Sequence, residues 1–339
     1  MKQQLMWAVA GAAALGLLGA RGAAQSPANA VDAHIAAAKT AAGQDHQSLF
    51  AAACAPASIR LPPGQLPAGT LPGKAPGQRV GPPPDRDRWY TEPARVFDNL
   101  YFVGEREFSS WAVVTSDGII LIDAIYDYSV KDEVVDGLTK MGLDPAQIKY
   151  VIISHAHADH YAGAKYLQDH FHPRLILSAA DWNLLDSTTT IDERPARDMV
   201  AKDGMKLTLG DTTLTLYLTP GHTPGTISTL IPVKDNGQPH TAALWGGTMF
   251  NFKRSKQAFD TYIASAEHFQ GIVTRAGADV ALSNHTDYDG TKTKIPALAA
   301  RVGGAPHPYV IGNDAVKRYL TVVKECAAAA QAALPPATP

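Results

Sequence analysis

Residues 154–160 read Ser154-His155-Ala156-His157-Ala158-Asp159-His160. Four side chains able to ligate a metal thus stand within six positions, in a chain with twelve histidines. Residues two apart in extended backbone point the same way, so His155 and His157 can reach one ion. Asp159 and His160 fall where the chain turns into a helix, aimed at a neighbouring point. Imidazole nitrogen with carboxylate oxygen is a ligand set that zinc favours and for which other divalent ions compete. Two further histidines end apolar strands, His222 within Pro220-Gly221-His222-Thr223-Pro224-Gly225 and His285 within Leu282-Ser283-Asn284-His285. Either one alone would suit a structural role equally well. Beside the cluster they read as further ligands, because groups at the ends of several strands converge on one sheet edge.

The elements that must position these residues follow from periodicity and turn chemistry. Val96–Val103 reads as a strand, and Ala112–Thr115 with Ile119–Ile122 as a hairpin turned at Ser116-Asp117-Gly118. Val130, Val134, Leu138 and Met141 share a helix face that Gly142 ends. The strand Ile148–Ile153 leads into the histidine cluster, and a helix is expected over His160–His170. Arg174–Ser178 reads as a strand and Ala180–Asp186 as a short helix. Strand pairs follow at Met205–Leu209 with Thr212–Thr219, and at Ile227–Val233 with Thr241–Trp245. Helices are expected at about Gln257–Ala276, Lys292–Arg301 and Asn313–Ala330, with a strand at Val280–Leu282. Strands and helices interleave throughout, so the fold class is α/β with covered sheets.

The chain has 339 residues, long for one domain and short for two ordinary ones. The N-terminal third accounts for the excess. Residues 1–24 have one early cation, Lys2, then an apolar stretch from Leu5 to Leu18 ending in small residues, the layout of a cleaved secretory signal. Residues 25–55 form a helical arm, with Val31, Ile35 and Ala38 on one face and Leu49, Phe50, Ala53 and Cys54 on another. Residues 56–88 are dense in proline and glycine and are expected to run extended as a linker. A single globular domain then spans 89–330, and 331–339 is a tail. No later apolar run is long enough to cross a bilayer, so the mature chain is expected to be exported, to the periplasm or beyond, and free of the membrane.

Thirty basic against thirty-two acidic side chains give a net charge of −2, which becomes −4 once Lys2 and Arg21 leave with the signal. No basic block appears, which argues against nucleic acid as a partner. The two cysteines exclude both a disulfide-dense scaffold and a four-cysteine zinc site. Cys54 and Cys326 both lie on apolar helix faces, the latter continuing Val316, Leu320 and Val323. They form either a disulfide pinning the arm to the C-terminal helix or two separate buried thiols.

With these motifs in place, residues 96–330 resemble the metallo-β-lactamase superfamily, whose His-x-His-x-Asp-His signature stands at His155 to His160. The resemblance continues through Ile122-Asp123, Leu209-Gly210-Asp211-Thr212-Thr213 and Gly221–Gly225. It implies a four-layer αββα sandwich with a dinuclear metal site at one sheet edge and two zinc ions as cofactors. His155, His157 and His222 would hold the first zinc, and Asp159, His160 and His285 the second. Asp123 would orient the site from behind. The window Leu244–Thr248 carries neither the bridging Asp of glyoxalases and lactonases nor the Cys of another lactamase branch. What remains is most similar to the third subclass (B3) of class B β-lactamases, which Phe97–Gly104 also matches.

That similarity implies a zinc-dependent hydrolase opening the amide of β-lactam antibiotics, a small-molecule substrate, by a metal-activated water that Asp159 orients. Antibiotic resistance would be the consequence. Thr248 and Asn251 are candidate substrate contacts, and the short basic run Lys253, Arg254 and Lys256 could meet a carboxylate or simply face solvent. The alternatives are a metallo-hydrolase of another ester, lactone or amide, and an exported zinc-binding protein without catalytic activity.

Overall fold

A computed structural model of the chain describes residues 27–60, 82–188 and 194–335. The expected signal at 1–24 and most of the proline-rich segment lie outside these residues. The arm comprises α1 (Pro27–Ala42), α2 (Gln47–Ala53) and α3 (Pro56–Ile59), and α4 (Arg86–Trp89) precedes the first strand. α3 departs from the extended reading of the linker. Proline is at home in the first helical position, where its missing N–H has no intrahelical partner to lose.

The first sheet has seven strands in sequence order: β1 (Ala94–Phe97), β2 (Leu100–Phe102), β3 (Trp111–Thr115), β4 (Gly118–Ile122), β5 (Ile148–Ile152), β6 (Arg174–Ser178) and β7 (Met199–Ala201). β1 to β4 pair antiparallel and β4 to β7 parallel. The parallel half needs crossovers. They are α5 (Asp136–Lys140, led by a wider turn over Lys131–Val135), then α6 (Ala158–Tyr161) with α7 (Ala164–Phe171), then α8 (Ala179–Thr188). The second sheet is an antiparallel meander of β8 (Met205–Leu209), β9 (Thr212–Leu218), β10 (Ile227–Asp235) and β11 (Gln238–Trp245). α9 (Lys256–Ala276) then brings β12 (Val280–Ser283) parallel to β11. α10 (Thr291–Ala299) and α11 (Asn313–Ala332) complete the chain.

Three apolar layers hold this four-layer αββα sandwich together. Phe102, Trp111, Leu214 and Leu244 fill the space between the sheets. Leu121, Val151, Leu167 and Trp182 lie between the first sheet and its crossover helices. Trp245, Phe259, Phe269 and Val323 lie on the far side of the second sheet. The arm joins that last layer through Val31, Ala38 and Leu49, so it is part of the core rather than an appendage. Cys54 and Cys326 are joined as a disulfide across 272 residues of sequence. Polar contacts reinforce the join: His34 Nδ1 lies 2.7 Å from Glu325, His46 Nε2 lies 2.8 Å from the Ala315 carbonyl, and Arg318 pairs with Asp45.

Within the domain that follows the linker, three elements differ from the sequence reading. The strand expected over Val96–Val103 is a tight hairpin, because Asp98 and Asn99 turn the chain and bond to the β10–β11 hairpin at Gly237 N (2.7 Å) and Lys234 N (3.1 Å). The helix expected over His160–His170 is two helices. It breaks at Gly163, where a Cβ would sit 2.2 Å from the Ala124 carbonyl, so the backbone there packs where no side chain fits. β7 has three residues, too few to register as an alternating pattern.

Candidate metal centre

Every proposed ligand sits just beyond the C-terminal end of a strand or on the first turn after it. β4 ends into Asp123, β5 into the His155–His160 loop, β9 into His222 and β12 into His285. Two groups result. His155 Nε2 and His157 Nδ1 each lie 3.0 Å from His222 Nε2. Asp159 Oδ2 lies 3.1 Å from His160 Nε2 and 3.5 Å from His285 Nε2. The groups adjoin, with the His155 and His160 rings 4.2 Å apart. Within each group all three donor atoms lie within 4.8 Å of one another.

The donor set fits divalent metal on two counts. Three imidazole nitrogens facing one point cannot satisfy one another, since a neutral imidazole has one acceptor nitrogen. His160 Nε2 is buried and, although Asp159 Oδ2 lies 3.1 Å away, makes no well-aligned hydrogen bond among the described residues, a costly state for a polar atom that a metal would relieve. The opposite face of three of these rings is committed. His155 Nδ1 faces the Gly246 carbonyl at 2.8 Å, His222 Nδ1 the Met249 carbonyl at 2.5 Å, and His160 Nδ1 the Asp123 carboxylate at 3.0 Å. For His155 and His222, donation to these oxygens fixes the tautomer and leaves the inward nitrogen as an acceptor, while the Asp123 carboxylate fixes the orientation of His160.

Charge follows from burial. Desolvation holds His155 and His157 well below their ordinary range, His222 at about 4 and His285 at about 3, so these four rings are neutral at neutral pH. His160 is the opposite. Burial disfavours its charge, but Asp159 and Asp123 outweigh that and raise it to about 10. Burial likewise disfavours the Asp159 carboxylate, yet His160 and His285 hold it well below the usual range.

Asp123, the strand-end residue expected to orient the site, lies behind His160, and its contacts extend beyond that ring. It has a φ of 63°, a left-handed backbone that aspartate tolerates better than most residues. Its carboxylate accepts from Ser154 N at 2.6 Å and Ser154 Oγ at 2.8 Å, and its carbonyl from Ser110 Oγ at 2.7 Å. Ser154 in turn accepts from Asn284 Nδ2 at 3.1 Å, which also donates to the Gly246 carbonyl at 2.7 Å. One network therefore ties the ends of β4, β5, β11 and β12.

The window after β11, conspicuous in the sequence for having no ligand, works through its backbone. Gly246 supplies the acceptor for His155, and Gly247 packs so tightly that a Cβ would lie 2.5 Å from the Cβ of His222. Thr248 is 1% exposed, and Tyr262 donates to its carbonyl at 2.6 Å. Asn251 does line a cavity of about 510 Å³ that opens beside His157 and His222. Of the basic run, Lys253 is exposed and the other two are engaged away from the site. Arg254 donates to the Ser58 and Ile59 carbonyls at the end of α3, and Lys256 pairs with Asp260.

Asp181 is the residue that the sequence did not reveal. It is fully buried on the first turn of α8, accepting from Ala156 N at 2.9 Å, Thr223 Oγ1 at 2.7 Å and Gly225 N at 2.7 Å. It joins the loop of His155 and His157 to the loop of His222. Its signal was faint: one acidic residue in a largely apolar stretch, Leu175–Leu185, twenty-one residues from the nearest ligand, His160, in sequence.

Comparison with known proteins agrees with this geometry. Residues 104–235 match the metallo-beta-lactamase superfamily. Among solved structures, the chain is similar to BJP-1, a subclass B3 metallo-beta-lactamase of Bradyrhizobium japonicum, at 28% identity and a TM-score of 0.59, covering 68% of this chain and 89% of that one. A metallo-beta-lactamase from Cronobacter sakazakii is 26% identical with a TM-score of 0.58, over 68% of this chain and 90% of that one. GOB-18 from Elizabethkingia meningoseptica shares the fold at 21% identity and a TM-score of 0.57, over 72% and 93%. Among the described residues no helix is long and apolar enough to cross a membrane.

Proposed function

We propose that this chain, whose residues 104–235 form a metallo-beta-lactamase superfamily domain, is an exported zinc hydrolase that opens the amide of β-lactams. The observation that carries the reading is the pair of adjoining groups, His155–His157–His222 and Asp159–His160–His285, each converging on one point, with the outward nitrogens of His155, His222 and His160 already committed. The first group would hold one zinc and the second another. Zinc bound there would supply a nucleophile from water at neutral pH and polarise the scissile carbonyl.

The chain's own residues prepare that chemistry. Burial keeps His155, His157, His222 and His285 neutral, so these four need release no proton to serve as ligands. Gly246 and Met249 hold His155 and His222 in rotation, and Asp123 holds His160. Asp159 Oδ2 lies 3.1 Å from His160 and 3.5 Å from His285, and from there the carboxylate would orient the attacking water. Water adds across the C–N bond, giving a carboxylate and an amine. The similarity to B3 lactamases and the disulfide, a bond of oxidising compartments, support an exported lactamase.

The test is to purify the chain with zinc and assay a carbapenem, a cephalosporin and an acyl-homoserine lactone, with and without chelator. Chelator-sensitive opening of the β-lactams is expected. Turnover of the lactone alone would assign another hydrolase, and zinc bound without any turnover would make the chain a metal-binding protein.

A further inference from the structure

Residues 246–255 join β11 to α9 and belong to neither. None of residues 247–254 makes a backbone–backbone hydrogen bond among the described residues, so side chains must set where this segment lies. Tyr262 Oη donates to the Thr248 carbonyl at 2.6 Å and His222 Nδ1 to the Met249 carbonyl at 2.5 Å. Phe250 is buried against the rings of Phe259 and Tyr262. Arg254 makes the last hold, donating to the Ile59 and Ser58 carbonyls at 3.0 and 2.6 Å. Burial lowers the pKa of this half-buried guanidinium, with no carboxylate beside it among the described residues to offset that. A cation so placed is costly unless hydrogen-bonded, and the two arm carbonyls are its compensation.

The end of the arm is itself fixed. Cys54, five residues before Ile59, is bonded to Cys326 of α11. Ser58 Oγ donates to the Ala52 carbonyl at 2.9 Å, and Ile59 is buried in the same apolar layer as Phe250. Resting on the reading of the two groups as metal ligands, we infer that Arg254 is a positioning residue for the first of them. The arm fixes the segment after β11 through Arg254, and that segment fixes the rotation of His222 through the Met249 carbonyl. The effect is confined to one ring. His155 takes its acceptor from Gly246, which is held at the end of β11 by Asn284 Nδ2 at 2.7 Å and Ser228 Oγ at 3.1 Å. Helices from the far N-terminus thus serve the metal centre without approaching a substrate.

Arg254→Met keeps the length of the side chain and removes its donors. In metal-free protein with isotope-labelled histidine, NMR reads the Nδ1 protons of His155 and His222, each assigned by its loss in the matching alanine variant. Exchange of the His222 proton with water should be about tenfold faster in Arg254→Met, the weight of a lost charge-assisted hydrogen bond, with His155 unchanged. A general loss of stability would speed both. Reducing the disulfide of the parent loosens the arm and should act on the same proton, so the result does not hang on one variant's folding. Exchange at His222 unmoved by the substitution, or by reduction where the substituted chain does not fold, overturns the role, as does equal acceleration at both rings. Zinc affinity gives the second readout, by competition with a chromogenic chelator. In a His285→Ala background, where the first group is the complete one, Arg254→Met should weaken zinc binding about tenfold. In a His222→Ala background, where the second group is complete, it should change nothing. Zinc bound equally by the first group with and without Arg254 overturns the role as well. If the parent binds no zinc, the hydrolase reading fails by itself, and the exchange rates of the metal-free protein decide the role of Arg254.

Discussion

The hydroxyl of Thr223 donates to Asp181 Oδ2 at 2.7 Å, and the same oxygen accepts the amide of Ala156 at 2.9 Å. A single carboxylate therefore fixes the spacing between two loops that together present all three histidines of the first ligand group. Its second oxygen takes the amide of Gly225 at 2.7 Å, and burial pushes its pKa up even as these donors pull it down.

Asp181→Asn keeps the shape but replaces one acceptor oxygen with an amide donor that would face an N–H. Stability should fall by about 1–3 kcal/mol, the cost of an unmatched buried polar group. Zinc affinity of the first group should fall about 10–100-fold, as for other residues that orient ligands. Urea unfolding and competition with a chromogenic chelator measure the two effects. An affinity equal to the parent's would confine Asp181 to folding.

Asp159→Asn removes the charge between His160 and His285 while leaving an amide of the same size. We expect kcat to fall by about 10²–10⁴-fold, the usual worth of a positioned acid–base group, with circular dichroism unchanged. Unchanged turnover would sink the role assigned to this carboxylate.

The disulfide and Arg254 hold the arm at two places, Cys54 on α11 and the end of α3 on the segment after Met249. Replacing both Cys54 and Cys326 with serine should cost about 2–4 kcal/mol, read from urea unfolding of oxidised and reduced protein. Arg254→Ala should expose Ser58 and Ile59 to limited proteolysis at a concentration of protease that leaves the parent intact. Protection equal to the parent's in both variants would show the arm to be held by packing alone.

Two buried acids near the site make stability depend on pH. Desolvation raises Glu105 to about 7 and Glu133 to about 9, despite hydrogen bonds from Ser129, Tyr128 and the Thr91 amide. Both folded values lie above the ordinary glutamate value of about 4.5, so below about pH 4.5 the two states are protonated alike and no penalty exists. As pH rises the unfolded chain ionises first, and stability falls through pH 7 for Glu105 and on towards 9 for Glu133. Between pH 5 and 7 the pair should lose on the order of 4 kcal/mol, about 2 kcal/mol for each acid. In Glu105→Gln with Glu133→Gln that slope should flatten, as followed by thermal unfolding across the range. An identical slope would place the ionisation elsewhere.

Much of the site was legible because its information is local. His155, His157, Asp159 and His160 occupy one extended segment and its first helical turn, where spacing alone decides which side chains share a face. His222 and His285 were legible at one remove, since glycine, proline and strand ends marked where the chain must turn. Local chemistry also bounded the elements, as Ser116-Asp117-Gly118 and Gly142 show.

Only the tertiary structure decided what depends on residues far apart. Asp181, Ser154 and Asn284 matter through hydrogen bonds across strands, and no spacing rule links them. The break at Gly163 comes from the Ala124 carbonyl and not from the helix itself. Thr248 has the residue type of a substrate contact, but Tyr262 and the packing above it bury it. The two cysteines could have been separate thiols until the arm was seen lying on α11, 272 residues away. Residue type and short spacing set which atoms could bind a metal, because ligand chemistry is a property of side chains. Which atoms support them was set by the long-range packing of two sheets, because a buried polar group takes its partner from whatever the fold brings within 3 Å.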